Sequence, residues 1–272
     1  MPALLLTIMK NLILGYCYNY PFEVIEPFIA SFLNVRKLNP NLELVFFAKN
    51  MDKVFELVCQ RKGIHVFNSE LYNHLNYPED NKRWIIAQEF LNNNQHVYDK
   101  VLLTDIRDVI FQGDPFALLN DPVVFASMEP NIIRNCYFNN MWISNMYGES
   151  MANLLGDCTI TCGGTVIGAT NAMLAHLDMF THQIREHHVP PGGVGYDQAI
   201  HNYIAHYIKP GHIVFDLDNK FVQTLVHTNP NSISIQDELI FVDGKYSPII
   251  HQYDRKPVTD QFITSCGKFR II

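Results

Sequence analysis

Through the first 128 residues, apolar runs of strand length alternate with stretches of helical periodicity, and that alternation leaves the chain few architectures. Residues 11–17 form the first apolar run. Val24, Phe28, Phe32 and Val35 then recur at helical spacing, with Pro27 tolerable in a first turn, where its missing N–H costs no bond. Residues 42–48 (LELVFFA) read as a strand, 52–61 as a helix and 63–67 as a short strand. Trp84, Ala87 and Leu91 mark a helix over 81–93. Residues 99–104 (DKVLLT) are a buried strand, and 123–128 another. Repeated β-α-β units predict an α/β fold, with a mostly parallel central sheet covered by helices.

Beyond Met128 the pattern loosens. Residues 129–158 are rich in Asn, Met, Tyr and Trp, and fit either a mobile, substrate-contacting segment or an irregular surface loop. Residues 159–167 resume as a strand containing Gly163 and Gly164, and glycines inside a strand mark close approach by a ligand or a neighbour. Met173, Leu177, Phe180 and Ile184 define a helix, 190–195 (PPGGVG) a loop, 197–207 a further helix, and the rest short strands and turns. No internal repeat, low-complexity tract or linker interrupts the chain, so residues 1–272 read as one domain.

Composition removes several classes. With 48% hydrophobic and 17% charged residues, disorder as the main state is excluded. A net charge of -7 provides no basic excess for general nucleic-acid binding. No window has the roughly 18–20 apolar residues of a membrane span. The apolar start, 1–16, is broken by Lys10 and Asn11 and lacks a basic n-region and a cleavage site, so no signal peptide is expected. The six cysteines show neither CxxC nor zinc spacing, which predicts idle thiols in a reducing compartment. His176, His182, His187, His188, His201 and His206 do not pair on helix faces, and no zinc site is read there. Together these features predict a soluble cytoplasmic protein.

The sharpest chemical signal is Thr104-Asp105-Ile106-Arg107-Asp108, directly after the apolar strand. Ligands of open α/β sheets sit at the carboxyl ends of strands. Two carboxylates there converge on one divalent cation if the chain turns, and hard oxygen ligands suit Mg²⁺ or Mn²⁺. The alternative is a turn in which Arg107 simply pairs with the acids.

The stretch from Tyr98 to Phe116, YDKVLLTDIRDVIFQGDPF, resembles the acidic-motif region of GT-A fold glycosyltransferases, where a strand ends in Asp-x-Asp before an apolar strand and a turn. Here the pair is Asp-x-x-Asp, with Ile106 where the first Asp would fall; Asp108 is then the safer metal ligand and Asp105 is reached through a one-residue bulge. The C-terminal His251-Gln-Tyr-Asp-Arg-Lys256-Pro257 is similar to the His-x-x-Gly-x-x-Lys-Pro motif of the glycogenin-like and galactosyltransferase-like members, one residue shorter and without the Gly. That resemblance implies His251 as a third metal ligand and Lys256 at the diphosphate, with Arg107 as a further phosphate partner. It also implies donor contacts from Arg83 and from the Gly163–Gly164 strand. Asp197, in GYDQAIHNY, matches a Asp-Gln-Asp segment and is either a sugar-contacting or catalytic carboxylate or a plain helix N-cap. Tyr18 and Asn19, after the first strand, and Asn50, after the second, fall where the nucleotide base and ribose sit in that fold.

The resemblance therefore implies a GT-A-like single domain, with a nucleotide-binding half of about 1–128 and an acceptor half of about 129–272. The activity implied is Mn²⁺- or Mg²⁺-dependent transfer of a sugar from a UDP- or GDP-type nucleotide sugar to a glycan-type acceptor, for a protein in the cytoplasm or on a membrane surface. Two rivals stand: a sugar-nucleotide nucleotidyltransferase, which would carry a Gly-rich basic loop where this chain reads YCYNYPF, and a non-catalytic glycan-binding protein on a transferase scaffold.

Overall fold

The computed structural model describes residues 9–187, 189 and 193–271; the N-terminal reading over 1–8, His188 and the 190–192 part of the PPGGVG loop lie outside them. In chain order the elements are β1 (Lys10–Tyr18), α1 (Phe22–Leu38), β2 (Leu42–Lys49), α2 (Lys53–Lys62), β3 (His65–Asn68), α3 (Glu79–Asn94), β4 (Tyr98–Thr104), β5 (Val109–Phe111) and β6 (Val124–Ile132). Then follow α4 (Tyr137–Tyr147), α5 (Glu149–Leu154), β7 (Thr159–Ala169), α6 (Thr170–Glu186), α7 (Tyr196–Tyr203), β8 (Ile213–Asp216), β9 (Val222–Thr224), β10 (Ile233–Gln236), β11 (Leu239–Val242), β12 (Lys245–Tyr246), β13 (Ile249–His251) and α8 (Pro257–Ser265).

The central sheet has seven strands in the order β3-β2-β1-β4-β7-β6-β8. Every neighbouring pair is parallel except those of β7, which runs antiparallel to both β4 and β6. β1 is apolar on both faces because helices cover both. Ile13 and Cys17 pack with Phe28 and Phe32 of α1 and Phe55 of α2, while Leu12 and Leu14 pack with Trp84 of α3 and Leu177 and Phe180 of α6. The Trp84 indole lies stacked on Phe180 with centroids 3.8 Å apart. Asp52 ties two helix starts to the same end of the sheet. Its carboxylate caps α2 through the Phe55 N–H at 2.8 Å and also accepts from Phe22 N–H at 3.0 Å.

A small three-stranded sheet, β5-β13-β9, joins distant parts of the chain. β13 pairs antiparallel with β5, setting His251 opposite Val109, and parallel with β9. β10, β11 and β12 form a separate antiparallel sheet. Among the described residues no helix is long and apolar enough to cross a membrane.

The structure departs from the sequence reading in three places. Pro27 lies inside α1 rather than in its first turn, because the helix already begins at Phe22; the Glu23 carbonyl thereby loses its partner four residues on. Residues 129–158 are neither irregular nor featureless, since β6 runs on to Ile132 and α4 and α5 occupy most of the remainder. Asp197 is not an N-cap: Gly195 holds that position, and Asp197 lies within the first turn of α7. α7 ends at Tyr203 in a π-helical turn over Ile204–Ile208.

Candidate active site

β4 ends at Thr104, and the ladder carries on by one bond, from the Asp105 N–H to the Gly164 carbonyl of β7 at 2.6 Å. The chain then bends over Ile106–Asp108 before entering β5. Ile106 turns inward, 2% exposed, against Gly15, where an added Cβ would run into it. That leaves Asp105 and Asp108 on the outer side. Because β13 pairs with β5, His251 arrives beside them, and the Gln252 N–H fixes the register by donating to the Asp108 carbonyl at 2.7 Å.

One ligand atom from each of Asp105, Asp108 and His251 lies within 4.8 Å of the others, and no other group of this kind occurs among the described residues. His251 Nε2 stands 3.5 Å from Asp105 Oδ2 and 3.8 Å from Asp108 Oδ1. This nitrogen is buried and makes no hydrogen bond, while Nδ1 on the other side of the ring is 3.5 Å from both Cys162 Sγ and Thr224 Oγ1. Gly164 forms the floor. A Cβ there would lie 2.6 Å from Asp105 Oδ2 and 2.6 Å from His251 Cε1. Two carboxylates, an unpartnered imidazole nitrogen and a glycine floor fit a hard divalent cation. Burial opposes a charged imidazole, yet Cys162 and then Asp105 and Asp108 draw the His251 pKa well above its ordinary value. The spot therefore attracts positive charge, which a cation supplies as readily as a proton.

Arg83, on α3, joins this cluster to α7. It pairs with Asp105 and, through Nη2, with Asp197 Oδ2 at 2.7 Å. Burial works against the charge on Asp105, but Arg83 and then His251 outweigh it and hold this carboxyl well below the usual range. Asp197 goes the other way. Burial raises its pKa, and Arg83 offsets that only in part. Its Oδ1 accepts the Gln198 N–H at 2.9 Å. Asp80, three residues before Arg83, is pushed up to about 6, first by burial and then by the Asp197 charge.

These groups lie in a cleft of about 670 Å³, within the size range of small-ligand sites. Tyr16, Tyr18 and Tyr20 line one end, and Glu129, Phe138, Asn139 and Trp142 another part. Arg107 lines it too, paired with Asp108 at 2.9 Å and Asp254 at 3.3 Å. Gly163 and Gly164 face opposite sides of β7: Gly164 meets the acids and His251, while Gly163 meets Gln198 and His201 of α7.

Three expected residues are differently engaged. Asn19 and Asn50 bond each other, Nδ2 of Asn50 to Oδ1 of Asn19 at 3.0 Å, and both hold left-handed backbone (φ 56° and 53°), a conformation asparagine tolerates. Neither lines the cleft; Asn50 borders a separate groove beside β2. The Lys256 ammonium donates to the Val226 carbonyl at 3.1 Å, and it is Arg255 that lines the cleft, 3.9 Å from Asp108 Oδ2.

Sequence reasoning passed over Asp80 and Glu129. Asp80 was signalled by its place one turn before Arg83 on the same helix, and Glu129 by its position just past the predicted end of a strand, where ligands of such sheets collect. His176, fully buried, sits with ring centroids 5.6 Å from His201 and 5.7 Å from His212.

No family model and no curated protein matches the chain. Solved structures do. The apo structure of the bifunctional glycosyltransferase WbbM superposes over 96% of this chain with a TM-score of 0.61 at 13% identity, and the chain spans 50% of the length of that protein. An active-site mutant of LgtC matches over 92% of this chain and 93% of its own, with a TM-score of 0.51 at 12% identity. The galactosyltransferase LgtC in complex with donor and acceptor sugar analogues matches over 93% of this chain and 95% of its own, with a TM-score of 0.50 at 14% identity. The fold is thus the GT-A fold of these glycosyltransferases.

Proposed function

We propose that the protein is a glycosyltransferase that moves a sugar from a nucleoside-diphosphate sugar to a hydroxyl of a glycan-type acceptor, with a divalent cation held by Asp105, Asp108 and His251. The observation that carries the reading is the convergence of these three side chains on the Gly164 floor, at the carboxyl ends of the sheet strands, in a fold shared with glycosyltransferases. Mn²⁺ or Mg²⁺ at that position supplies Lewis-acid neutralisation of the leaving diphosphate.

The chain's own residues do the rest. The tyrosines of β1, Tyr18 among them, give the base an aromatic wall. Arg107 and Arg255 place two guanidiniums beside Asp108, where they offset phosphate charge. Arg83 clamps Asp105 and Asp197 in fixed positions, so the donor meets prearranged charges. Asp197, set beside the sugar, accepts hydroxyl hydrogen bonds through the lone pairs its two oxygens keep after bonding Arg83 and the Gln198 N–H.

Incubation with UDP- and GDP-sugars, Mn²⁺ and an oligosaccharide panel tests this. The expected result is release of nucleoside diphosphate, lost in Asp108→Ala. Release of pyrophosphate from a nucleoside triphosphate and a sugar phosphate would instead establish the nucleotidyltransferase. Binding of oligosaccharides with no turnover of any nucleotide would establish the non-catalytic glycan binder.

A further inference from the structure

Neither the cation cluster nor the β1 tyrosines account for one wall of the cleft. Phe138 and Trp142 stand one turn apart on α4, with ring centroids 5.7 Å apart and planes inclined by 31°. Both line the cleft, and Phe138 keeps 58% of its surface exposed. The wall is held in place. Trp142 lies so close over Gly195 that a Cβ at this position would enter the indole, and Gly195 adopts a φ of 80°, which glycine alone takes without strain. Gly195 begins the turn that presents Asp197.

Sheet order gives the wall its position relative to the rest of the site. Asp105 follows β4; β7, carrying Cys162 and Gly164, is next; then comes β6, which bears Glu129 and leads into α4. Neighbouring strands lie about 4.8 Å apart, so β6 stands about 10 Å across the sheet from β4, on the side away from β1 and Tyr18. The cation cluster therefore lies between a tyrosine end and an α4 end of one cleft. Glu129 is 7% exposed, and its Oε2 lies 3.4 Å from Nε2 of His227, which also lines the cleft.

We infer that Phe138 and Trp142 form a platform that receives the acceptor by the C–H face of a pyranose ring, with Glu129 and His227 bonding its hydroxyl rim. This rests on the glycosyltransferase reading and adds the acceptor's shape and the residues that select it. A pyranose ring is amphipathic in the required sense, with C–H groups clustered on a face and hydroxyls around the edge. Aromatic faces carry negative quadrupole charge that suits C–H donors, and a buried carboxyl group hydrogen-bonds sugar hydroxyls in either protonation state. A serine or threonine hydroxyl on a protein offers no flat C–H face of this size.

The chain has two tryptophans. Trp84 is buried on Phe180, so Trp84→Phe leaves Trp142 as the single indole reporter. Its emission would be followed while methyl β-glycosides of glucose, galactose and N-acetylglucosamine are titrated, each with and without UDP or GDP plus Mn²⁺; ribitol serves as an acyclic polyol with hydroxyls but no ring face. At least one glycoside should give a saturable shift, about tenfold weaker in a Phe138→Ala background, the loss expected for one aromatic contact. Ribitol should give none. The platform is overturned if no glycoside moves the emission in either state, if ribitol does so equally, or if Phe138→Ala binds as the parent does. Should Trp84→Phe fail to fold, saturation transfer from the aromatic protons of the unaltered protein to the glycoside C–H protons reads the same contact, and its absence overturns the platform. A nucleotide that binds while no glycoside does sinks the platform alone. A glycoside that binds while no nucleotide does supports the platform and sinks the donor assignment.

Discussion

Gly163 and Gly164 are adjacent in β7, yet the structure predicts opposite outcomes when each becomes alanine. At Gly164 the new methyl would lie 2.6 Å from Asp105 Oδ2, 2.6 Å from His251 Cε1 and 2.9 Å from His251 Nε2. Ordinary contact starts near 3.4 Å, so Asp105 and His251 must retreat by about 0.8 Å, and neither has slack. Asp105 is pinned by Arg83 and His251 by the β13 ladder. Overpacking of this kind costs about 1–3 kcal/mol of stability. Its effect on the cation is larger, because a site tolerates distance errors of only about 0.2 Å. Displacing two of three ligands should weaken Mn²⁺ binding at least about 100-fold, near 2.7 kcal/mol. At Gly163 the nearest atoms are 3.3 Å and 3.4 Å away, one of them the end of the flexible Gln198 side chain. Gly163→Ala should keep Mn²⁺ affinity within about threefold, a fraction of a kcal/mol. Mn²⁺ titration by electron paramagnetic resonance on both variants, with circular dichroism to show folding, makes the comparison. A folded Gly164→Ala protein that binds Mn²⁺ like the wild type would refute the placement of the cation on this floor.

Other residues give further tests. Arg83→Met leaves the buried Asp197 without its cation and Asp105 with His251 alone, and should cost about 3–5 kcal/mol in urea unfolding at neutral pH, part of which Asp197→Asn restores; a cost below about 1 kcal/mol would show that the clamp is not structural. His201 is held down to about 3, first by burial and then by the charges of His206 and Arg83, and burial drives His176 well below its ordinary value. Both are then neutral when folded but protonate when unfolded below pH 6.5, so stability should fall as pH drops below that point, by up to about 1.4 kcal/mol per pH unit for each, and His201→Phe should flatten the slope. Burial pushes Glu129 up to about 7, so its ionisation opposes folding progressively from about pH 4.5 to 7. Glu129→Gln should stabilise the protein more at pH 8 than at pH 5 in thermal melts while weakening acceptor binding; equal melting shifts at the two pH values would contradict the buried charge.

The front half of the sheet was legible because its covering helices force a repeating pattern on the chain. Strands apolar on both faces, such as β1 and β4, announce themselves, and the helices between them carry apolar residues at regular spacing. α4 was not legible. In YFNNMWISNMY only Asn139 and Ile143 are buried, so no apolar stripe marks it as a helix, and two of its aromatic residues, Phe138 and Trp142, look into the cleft. Pro27 misled because tertiary packing of α1 overrides the local cost of a missing N–H. At the site, the acidic pair stood out by its place after a strand, and His251 by its resemblance to a motif. Their meeting depends on β5 pairing with β13 far along the chain, a register that no local pattern encodes. The same limit explains Lys256 and Arg255: adjacent in sequence, they part at the start of α8, and only the folded chain shows which one turns to the cleft.

If Asp105, Asp108 and His251 hold a cation, nucleotide binding at this cleft depends on it. The most direct test is thermal stability against UDP, GDP and their sugars, with and without Mn²⁺, on the wild type and Asp108→Ala. One nucleotide series, at about 100 times its dissociation constant, should add about 2.7 kcal/mol only when Mn²⁺ is present, and Asp108→Ala should abolish the gain. A gain of equal size in Asp108→Ala, or none with any nucleotide in the wild type, would contradict a cation-dependent nucleotide site here.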